Sequence, residues 1–252
     1  MIPFALDRGI PTAKLVSFDS GHSIADVTYM VLERLHGRTI DDMPSLTNDA
    51  NRTYRSLFEI LSSLHSVRRD SEPPIRGVET AEFSWEPLLD QLTSDGEIGS
   101  NQAAWLQRWF HHLEARGARS SDPVLLHGDV MPSNLILNNS GGVTAIIDWG
   151  SACWGEAARD LASFRTSTLP GIVDVYRNIA GMHRTAAGGA DASLEASVLW
   201  YQLFFALAKL LGRQSTSEKR NWSAPRGARL LEVTRFFSAD VPDRWRTLLQ
   251  DD

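Results

Sequence analysis

The middle of this 252-residue chain carries the pattern of a β-hairpin, and this feature most constrains the fold. Two short apolar runs, Leu135 to Leu137 and Val143 to Ile147, flank the turn sequence Asn138-Asn139-Ser140-Gly141-Gly142. Asparagine and glycine tolerate the backbone conformations that tight turns require. The pattern therefore predicts two short antiparallel strands at this point in the chain.

The predicted hairpin brings two oxygen-bearing side chains together at its open end. With the turn centred on Gly141, Asn134 and Asp148 face each other, with Cβ atoms about 5 Å apart. A slip of one residue would turn the two side chains to opposite faces, so the register matters. An amide oxygen and a carboxylate at this separation can share one Mg²⁺ ion, which prefers oxygen ligands. Asn134 and Asp148 are therefore the predicted metal ligands.

A third polar residue, Asp129, lies just before the hairpin. Asp129 and Asn134 have the D-x-x-x-x-N spacing of a phosphoryl-transfer catalytic loop, and His127 stands two positions before the aspartate. Asp148-Trp149-Gly150 stands where such enzymes carry Asp-Phe-Gly. A carboxylate on this loop could accept a proton from an attacking hydroxyl group. Singly, each residue is more often structural, as a turn or a cap, but their combination indicates a site.

At these residues the chain resembles the aminoglycoside phosphotransferase and choline kinase family, which has a protein-kinase-like fold. The motifs that carry the resemblance are His127-Gly128-Asp129, Asn134, Ile147-Asp148-Trp149 and Asp160-Leu161-Ala162. The resemblance implies that Asp129 is the catalytic base and that Asn134 and Asp148 bind magnesium. It also implies that Asp160 is a buried acid that braces the catalytic loop, and that ATP and Mg²⁺ are the cofactors.

The resemblance implies an α+β fold with two lobes. Residues 1–40 would form a truncated small β lobe and the hinge, and residues 41–252 a mainly helical large lobe with the catalytic hairpin. By position in the family pattern, the Glu33 carbonyl and the Leu35 amide would hydrogen-bond the adenine edge of the nucleotide. Helical periodicity supports the second lobe, and it includes a strongly apolar helix from Glu195 to Leu211.

The N-terminal residues depart from the family pattern. Nothing before Gly9 supplies the glycine-rich phosphate hairpin, the strand with the phosphate-binding lysine, or the helix whose glutamate holds that lysine. Lys14 is the only lysine in the N-terminal half, and its position favours an ordinary surface residue. We therefore expect an incomplete small lobe, with a thin sheet whose exposed edge is prone to association and with poor catalysis.

Composition limits the partners and the compartment. The net charge of −6 argues against nucleic acid as the main partner, and the single cysteine, Cys153, fits a reducing cytoplasm. The N-terminus lacks the pattern of a signal peptide, and the apolar run Val198 to Leu211 is shorter than the ~20 residues that cross a bilayer. We expect a cytoplasmic protein without membrane contact; its oligomeric state is left open.

Three functions are compatible with these residues. An ATP- and Mg²⁺-dependent kinase of a small hydroxyl-bearing molecule, such as an aminoglycoside, another amino alcohol or a sugar, is favoured by the retained base and metal ligands. A non-catalytic, kinase-like binding module is favoured by the missing lysine. A metal-dependent hydrolase that uses His127, Asp129 and Asp148 is weakened because no second cluster of histidines or carboxylates with metal-ligand spacing lies nearby.

Overall fold

A computed structural model describes residues 1–40, 50–71, 75–119, 122–181, 193–211, 226–238, 243–246 and 248–249. The sequence also predicts polar or glycine-rich loops at 41–48, 184–190 and 213–223, and all three lie outside the described residues. The chain divides into two compact units, one of Met1–Thr80 with Val124–Trp154 and one of Ala81–Pro123 with Gly155–Asp252. The predicted lobe boundary after residue 40 stays a prediction.

The first unit is built on short antiparallel pairs of strands and one long helix. Its elements are α1 (Ile2–Asp7), β1 (Leu15–Asp19), β2 (Tyr29–Leu32), β3 (Arg38–Thr39), α2 (Ala50–His65), β4 (Val124–Leu126), β5 (Leu135–Leu137), β6 (Val143–Ile146) and β7 (Cys153–Gly155). β1 pairs antiparallel with β2, and β5 lies between β3 and β6 in a three-stranded antiparallel sheet. β4 pairs with β7.

Helix α2 covers the hairpin of β5 and β6, which is the predicted catalytic hairpin. Its apolar residues recur at helical spacing, and Leu57, Phe58, Leu61 and Leu64 are completely buried where the helix packs against β4 and β6. Two polar groups on the same helix reach the hairpin turn. The Thr53 hydroxyl donates to the Gly141 carbonyl at 2.6 Å, and the Ser56 hydroxyl accepts from the Val143 amide at 2.8 Å. The hairpin predicted from sequence is therefore present, and it is packed.

The β1–β2 hairpin is different, because much of its apolar surface is open. Val16 is 64% exposed, Phe18 56% and Ile24 81%, and apolar residues of β2 are also exposed. Within the described residues this sheet has only two strands. An open two-stranded sheet agrees with the expected thin sheet; its tendency to associate stays a prediction.

The second unit is helical. It contains α3 (Trp85–Ser94), α4 (Ser100–Ala115), α5 (Ala158–Leu161), α6 (Leu169–Ile179), α7 (Ser193–Leu211), α8 (Arg226–Ser238) and α9 (Asp243–Arg246). Helix α7 packs against α3, α4, α5 and α8. By length and mean hydropathy of 1.3, α7 could cross a membrane, but 61% of that window is buried. Its fully buried Gln202 donates to the Ala162 and Phe164 carbonyls, as expected of a core helix.

Candidate active site

His127 links the catalytic loop to the end of the hairpin. The side chain is fully buried, and its Nε2 lies 3.0 Å from the Ile147 carbonyl oxygen. Because a carbonyl can only accept, Nε2 carries the proton, and Nδ1 is then free to accept from the Asp129 amide at 3.3 Å. One neutral imidazole therefore fixes the backbone at Asp129 and at the residue before Asp148.

Asp129 and Asn134 are held together within the loop. The Asn134 side-chain amide donates to the Asp129 carboxylate at 3.0 Å and to the Asp129 carbonyl at 2.9 Å. The loop is further closed by a bond from the Met131 amide to the Asp129 carbonyl. Asp129 is half-buried and Asn134 is buried. The five-residue spacing thus produces a loop in which the amide orients the carboxylate of the predicted base.

The predicted register of the hairpin is wrong by one residue. Ile147, and not Asp148, lies opposite Asn134, since the Ile147 amide donates to the Asn134 carbonyl at 2.9 Å. The strands pair Ile136 with Ala145 but Leu137 with Val143, so Thr144 is an extra residue on β6. The pair of Leu137 and Val143 is centred on Ser140 and not on Gly141, and the β-bulge at Thr144 then offsets the pairing by one residue, so that Asn134 and Asp148 are not opposite each other.

Asp148 lies beyond β6 in a left-handed conformation, with φ of 66° and ψ of 70°. Outside the strand, the alternation of side chains no longer decides where this carboxylate points. The next residue, Trp149, is buried, and its indole N–H donates to the Thr12 hydroxyl at 2.9 Å. The Trp149 ring also packs edge-on to His127, with ring centres 4.8 Å apart. The unusual backbone at Asp148 is thus held by anchored neighbours on both sides.

A cavity of about 960 Å³ opens beside Asp148. Most of its lining is apolar, with Leu15, Phe18, Met30 and Leu32 from the β1–β2 hairpin and Ile136 and Ile147 from the catalytic hairpin. Glu33 and Leu35 also line it. The Glu33 amide donates to the Lys14 carbonyl, whereas the Glu33 carbonyl and the Leu35 amide have no hydrogen-bond partner within the described part of the chain. The two predicted hinge groups therefore remain available to a ligand.

The remaining predicted residues are placed as follows. Asp160 is completely buried in the second unit, and its bracing role stays a prediction. Lys14 is exposed and does not line the cavity, which agrees with a surface lysine. Asp129 and Asn134 are also absent from the cavity lining. The structure joins them to Asp148 through Ile147, whose amide contacts Asn134 and whose carbonyl contacts His127.

The side-chain oxygens of Asn134 and Asp148 suit a magnesium ion whose other ligands are phosphate oxygens and waters. Because the Asn134 nitrogen points to Asp129, its Oδ1 is the atom left to bind a cation; the Ser133 hydroxyl lies 3.3 Å from it. The side chain of Asp148 is exposed. Among the described residues no group of three or more His, Cys, Asp or Glu side chains could hold a metal. Mg²⁺ commonly uses one or two carboxylates together with phosphate oxygens and waters.

A family model decides the classification. The model described as the phosphotransferase enzyme family, APH, matches residues 2–190. The chain belongs to this family. The resemblance inferred from the motifs is therefore confirmed. A curated protein, the uncharacterized protein YcbJ of Bacillus subtilis strain 168, is 24% identical to this phosphotransferase-family chain over 114 residues. That match spans 44% of this chain and only 37% of the length of that protein.

Solved structures show the same fold at low sequence identity. A GDP complex of a mutant aminoglycoside 2'-phosphotransferase-IIIa has a TM-score of 0.66 at 16% identity, covering 96% of this chain and 81% of that chain. A spectinomycin phosphotransferase with ADP and spectinomycin scores 0.56 at 14%, covering 98% and 79%. Macrolide 2'-phosphotransferase type I scores 0.56 at 18%, covering 82% and 69%. The predicted kinase-like α+β fold is confirmed.

Proposed function

We propose that this chain transfers the γ-phosphoryl group of a nucleoside triphosphate, with ATP expected, to a hydroxyl group of a small molecule. The observation that carries the proposal is the cavity that brings together the unpaired hinge groups at Glu33 and Leu35 with the carboxylate of Asp148. An apolar pocket with a few backbone donors and acceptors suits a nucleotide base. A carboxylate at its edge suits the metal-bound phosphates.

In this proposal some residues bind the nucleotide and its metal ion, and Asp129 takes part in the proton transfer. The Leu35 amide donates to the base and the Glu33 carbonyl accepts from it. Mg²⁺, held by Asn134 Oδ1 and Asp148, would neutralise charge on the phosphates. Asp129 accepts the proton of the attacking hydroxyl, and the Asn134 amide keeps its carboxylate oriented. His127 positions both carboxylates through the backbone and makes no contact with the substrate itself.

The acceptor belongs to the same proposal. Structural relatives are named for macrolides, spectinomycin and aminoglycosides, and one was solved with ADP and streptomycin. The net charge of −6 is compatible with a cationic acceptor. We propose an amino alcohol or amino sugar as the first class to test, with the reaction taking place in the cytoplasm.

Calorimetric titration with nucleotide tests the binding half of the proposal. ATP and GTP should be titrated with and without Mg²⁺ into the wild-type chain, Asn134→Ala and Asp148→Ala. Both variants should lose the Mg²⁺-dependent part of the affinity and keep the affinity for metal-free nucleotide. Equal losses with and without Mg²⁺ would show that the two side chains are structural.

Turnover tests the chemical half and separates the alternatives. Coupled detection of ADP should be run against streptomycin, spectinomycin, a macrolide and choline. Binding of Mg²⁺–ATP without turnover on any acceptor would favour a kinase-like binding module. The hydrogen bond that orients Asp129 in its loop favours the enzyme.

A further inference from the structure

Arg76 occupies the tip of a tight turn in the first unit. The Val78 amide donates to the Ile75 carbonyl at 3.0 Å, and Gly77 between them has φ of +77°. A positive φ at the third position is the requirement of a type II turn, and it is why glycine stands there. The second position of such a turn points outward from it, and here it is Arg76.

The segment that follows the turn is fixed to β7. The Trp154 amide donates to the Glu79 carbonyl at 2.8 Å, and Thr80 forms a parallel bridge with Trp154. The Arg69 guanidinium also donates to the Thr80 hydroxyl at 2.7 Å. Trp154 is buried and lies four residues after Gly150, which lines the cavity beside Asp148. The turn is therefore anchored to the strand that continues from the Asp148-Trp149-Gly150 motif.

Among the described residues, Arg76 is the only lysine or arginine that lines the cavity. Its side chain is exposed, and it has no ion pair or hydrogen bond to another residue in the described ranges. The other charged side chains of the lining are Glu33 and Asp148, and neither pairs with Arg76. A guanidinium that has no partner among the described residues, at the wall of a mostly apolar cavity, is available to an anionic ligand.

We infer that Arg76 binds the phosphates of the nucleotide in the cavity that Asp148 also lines. This inference rests on the proposed function. Phosphoryl transfer needs positive charge around the phosphates beyond that of the metal. Arginine is suited to this role because its planar guanidinium donates two parallel hydrogen bonds to phosphate oxygens. Arg76 thus supplies a cation at a position that the family motifs do not include.

Lys14 is the competing candidate and serves as the matched control. It is a cation of the same unit and it is exposed, but its side chain is not part of the cavity wall. Removing its charge alters the net charge of the protein as much as removing that of Arg76. A difference between the two variants therefore reports position and not overall charge.

The experiment compares Arg76→Gln, Arg76→Lys and Lys14→Gln in calorimetric titrations with Mg²⁺–ATP, ADP and adenosine. Arg76→Gln should weaken ATP binding about 10-fold, the size expected for loss of one hydrogen-bonded charge. Adenosine binding should not change, because adenosine has no phosphate. Arg76→Lys should recover part of the affinity, and Lys14→Gln should bind ATP like the wild type. Thermal unfolding should confirm that each variant is folded, as expected for exposed positions.

The outcomes separate this inference from the proposed function. Unchanged ATP binding by Arg76→Gln, or an equal loss for ATP and adenosine, overturns the role of Arg76 while the proposed function stands. A loss of ATP affinity in Lys14→Gln alone assigns the phosphate contact to Lys14 and also overturns it. A wild-type chain that binds neither ATP nor adenosine refutes the proposed function, and this inference with it.

Discussion

Two β-hairpins of the first unit start from similar sequence patterns and reach different environments. The hairpin of β5 and β6 buries Leu135, Leu137 and Ile146, each 1% exposed or less. The hairpin of β1 and β2 leaves Val16, Phe18 and most of its other apolar side chains exposed. Both have β-branched and large apolar residues at strand positions. Strand pattern alone therefore does not decide burial.

The turns of the two hairpins are organised in the same way. In the catalytic hairpin, Asn138 Oδ1 accepts from the amides of Ser140 and Gly142 and from the Ser140 hydroxyl. In the open hairpin, Asp19 accepts from Gly21, from the Ser23 amide and hydroxyl, and from Ile24. What differs is the covering, because helix α2 and strand β3 lie against the catalytic hairpin. The predicted metal ligands Asn134 and Asp148 flank the packed hairpin, and residues of both hairpins line the cavity.

The largest expected effect is a loss of turnover without a loss of nucleotide affinity. Asp129→Asn should lower turnover by about 10²- to 10⁴-fold, since it removes the proposed general base and keeps the shape of the side chain. Nucleotide affinity should remain within about twofold, because Asp129 does not line the cavity. Steady-state kinetics measures the turnover, and calorimetry measures the nucleotide affinity. Asp19→Asn, the same change in the open hairpin, is the control and should turn over like wild type; an active Asp129→Asn would remove Asp129 as the base.

The second prediction compares one isoleucine in each hairpin. Ile146 is completely buried and Ile24 is 81% exposed. Ile146→Ala should lower the free energy of unfolding by about 2–5 kcal/mol through lost burial and the cavity it leaves. Ile24→Ala should change it by less than about 0.5 kcal/mol. Urea denaturation measures both. Similar losses for the two variants would mean that the open hairpin is covered in solution.

The third prediction concerns the glycine that brings the segment before β3 against β5. A Cβ on Gly37 would lie 2.5 Å from the Leu137 carbonyl oxygen and 2.6 Å from Ile136 Cγ2, and φ is +149°. Gly37→Ala should therefore destabilise the protein by about 1–3 kcal/mol. It should also weaken nucleotide binding, because Leu35 lies two residues away. Gly21→Ala is the control in the open hairpin, where the nearest atom to a new Cβ is 3.7 Å away. Thermal unfolding in which both variants match the wild type would contradict the close approach.

The smallest expected effect is a pH response confined to the open hairpin. The hydrogen bond from the Ser23 hydroxyl, with those from neighbouring amides, lowers the pKa of Asp19. A lowered folded-state pKa means that these bonds are present above the ordinary carboxyl pKa of about 4 and are lost as the pH falls through the folded-state pKa. The amide NMR signals of Gly21, Ser23 and Ile24 should therefore shift in acid. The amide signals of Ser140 and Gly142 should lack this acid shift, because their acceptor, the Asn138 side chain, does not titrate. The variant Asp19→Asn should abolish the acid shift of the open hairpin.

The sequence by itself determined the family, the motif residues and most local elements of this protein. The hairpin of β5 and β6 and the apolar helix α7 could be predicted because periodicity and turn residues act over a few positions. The spacing of Asp129 and Asn134 pointed to a shared site, but the hydrogen bonds between them were found only in the structure. Helix α1 was missed, because six residues give too short a pattern to recognise.

Only the tertiary structure decided which of these segments meet. The centre of the turn and the bulge at Thr144 together set the register, and β3 joined β5 across about a hundred residues of chain. The same is true of Arg76, whose place in the cavity wall depends on a turn anchored to β7 far along the chain. Such contacts are set by packing between distant segments, which a local pattern does not encode. For the same reason the two hairpins differ in burial despite similar strands.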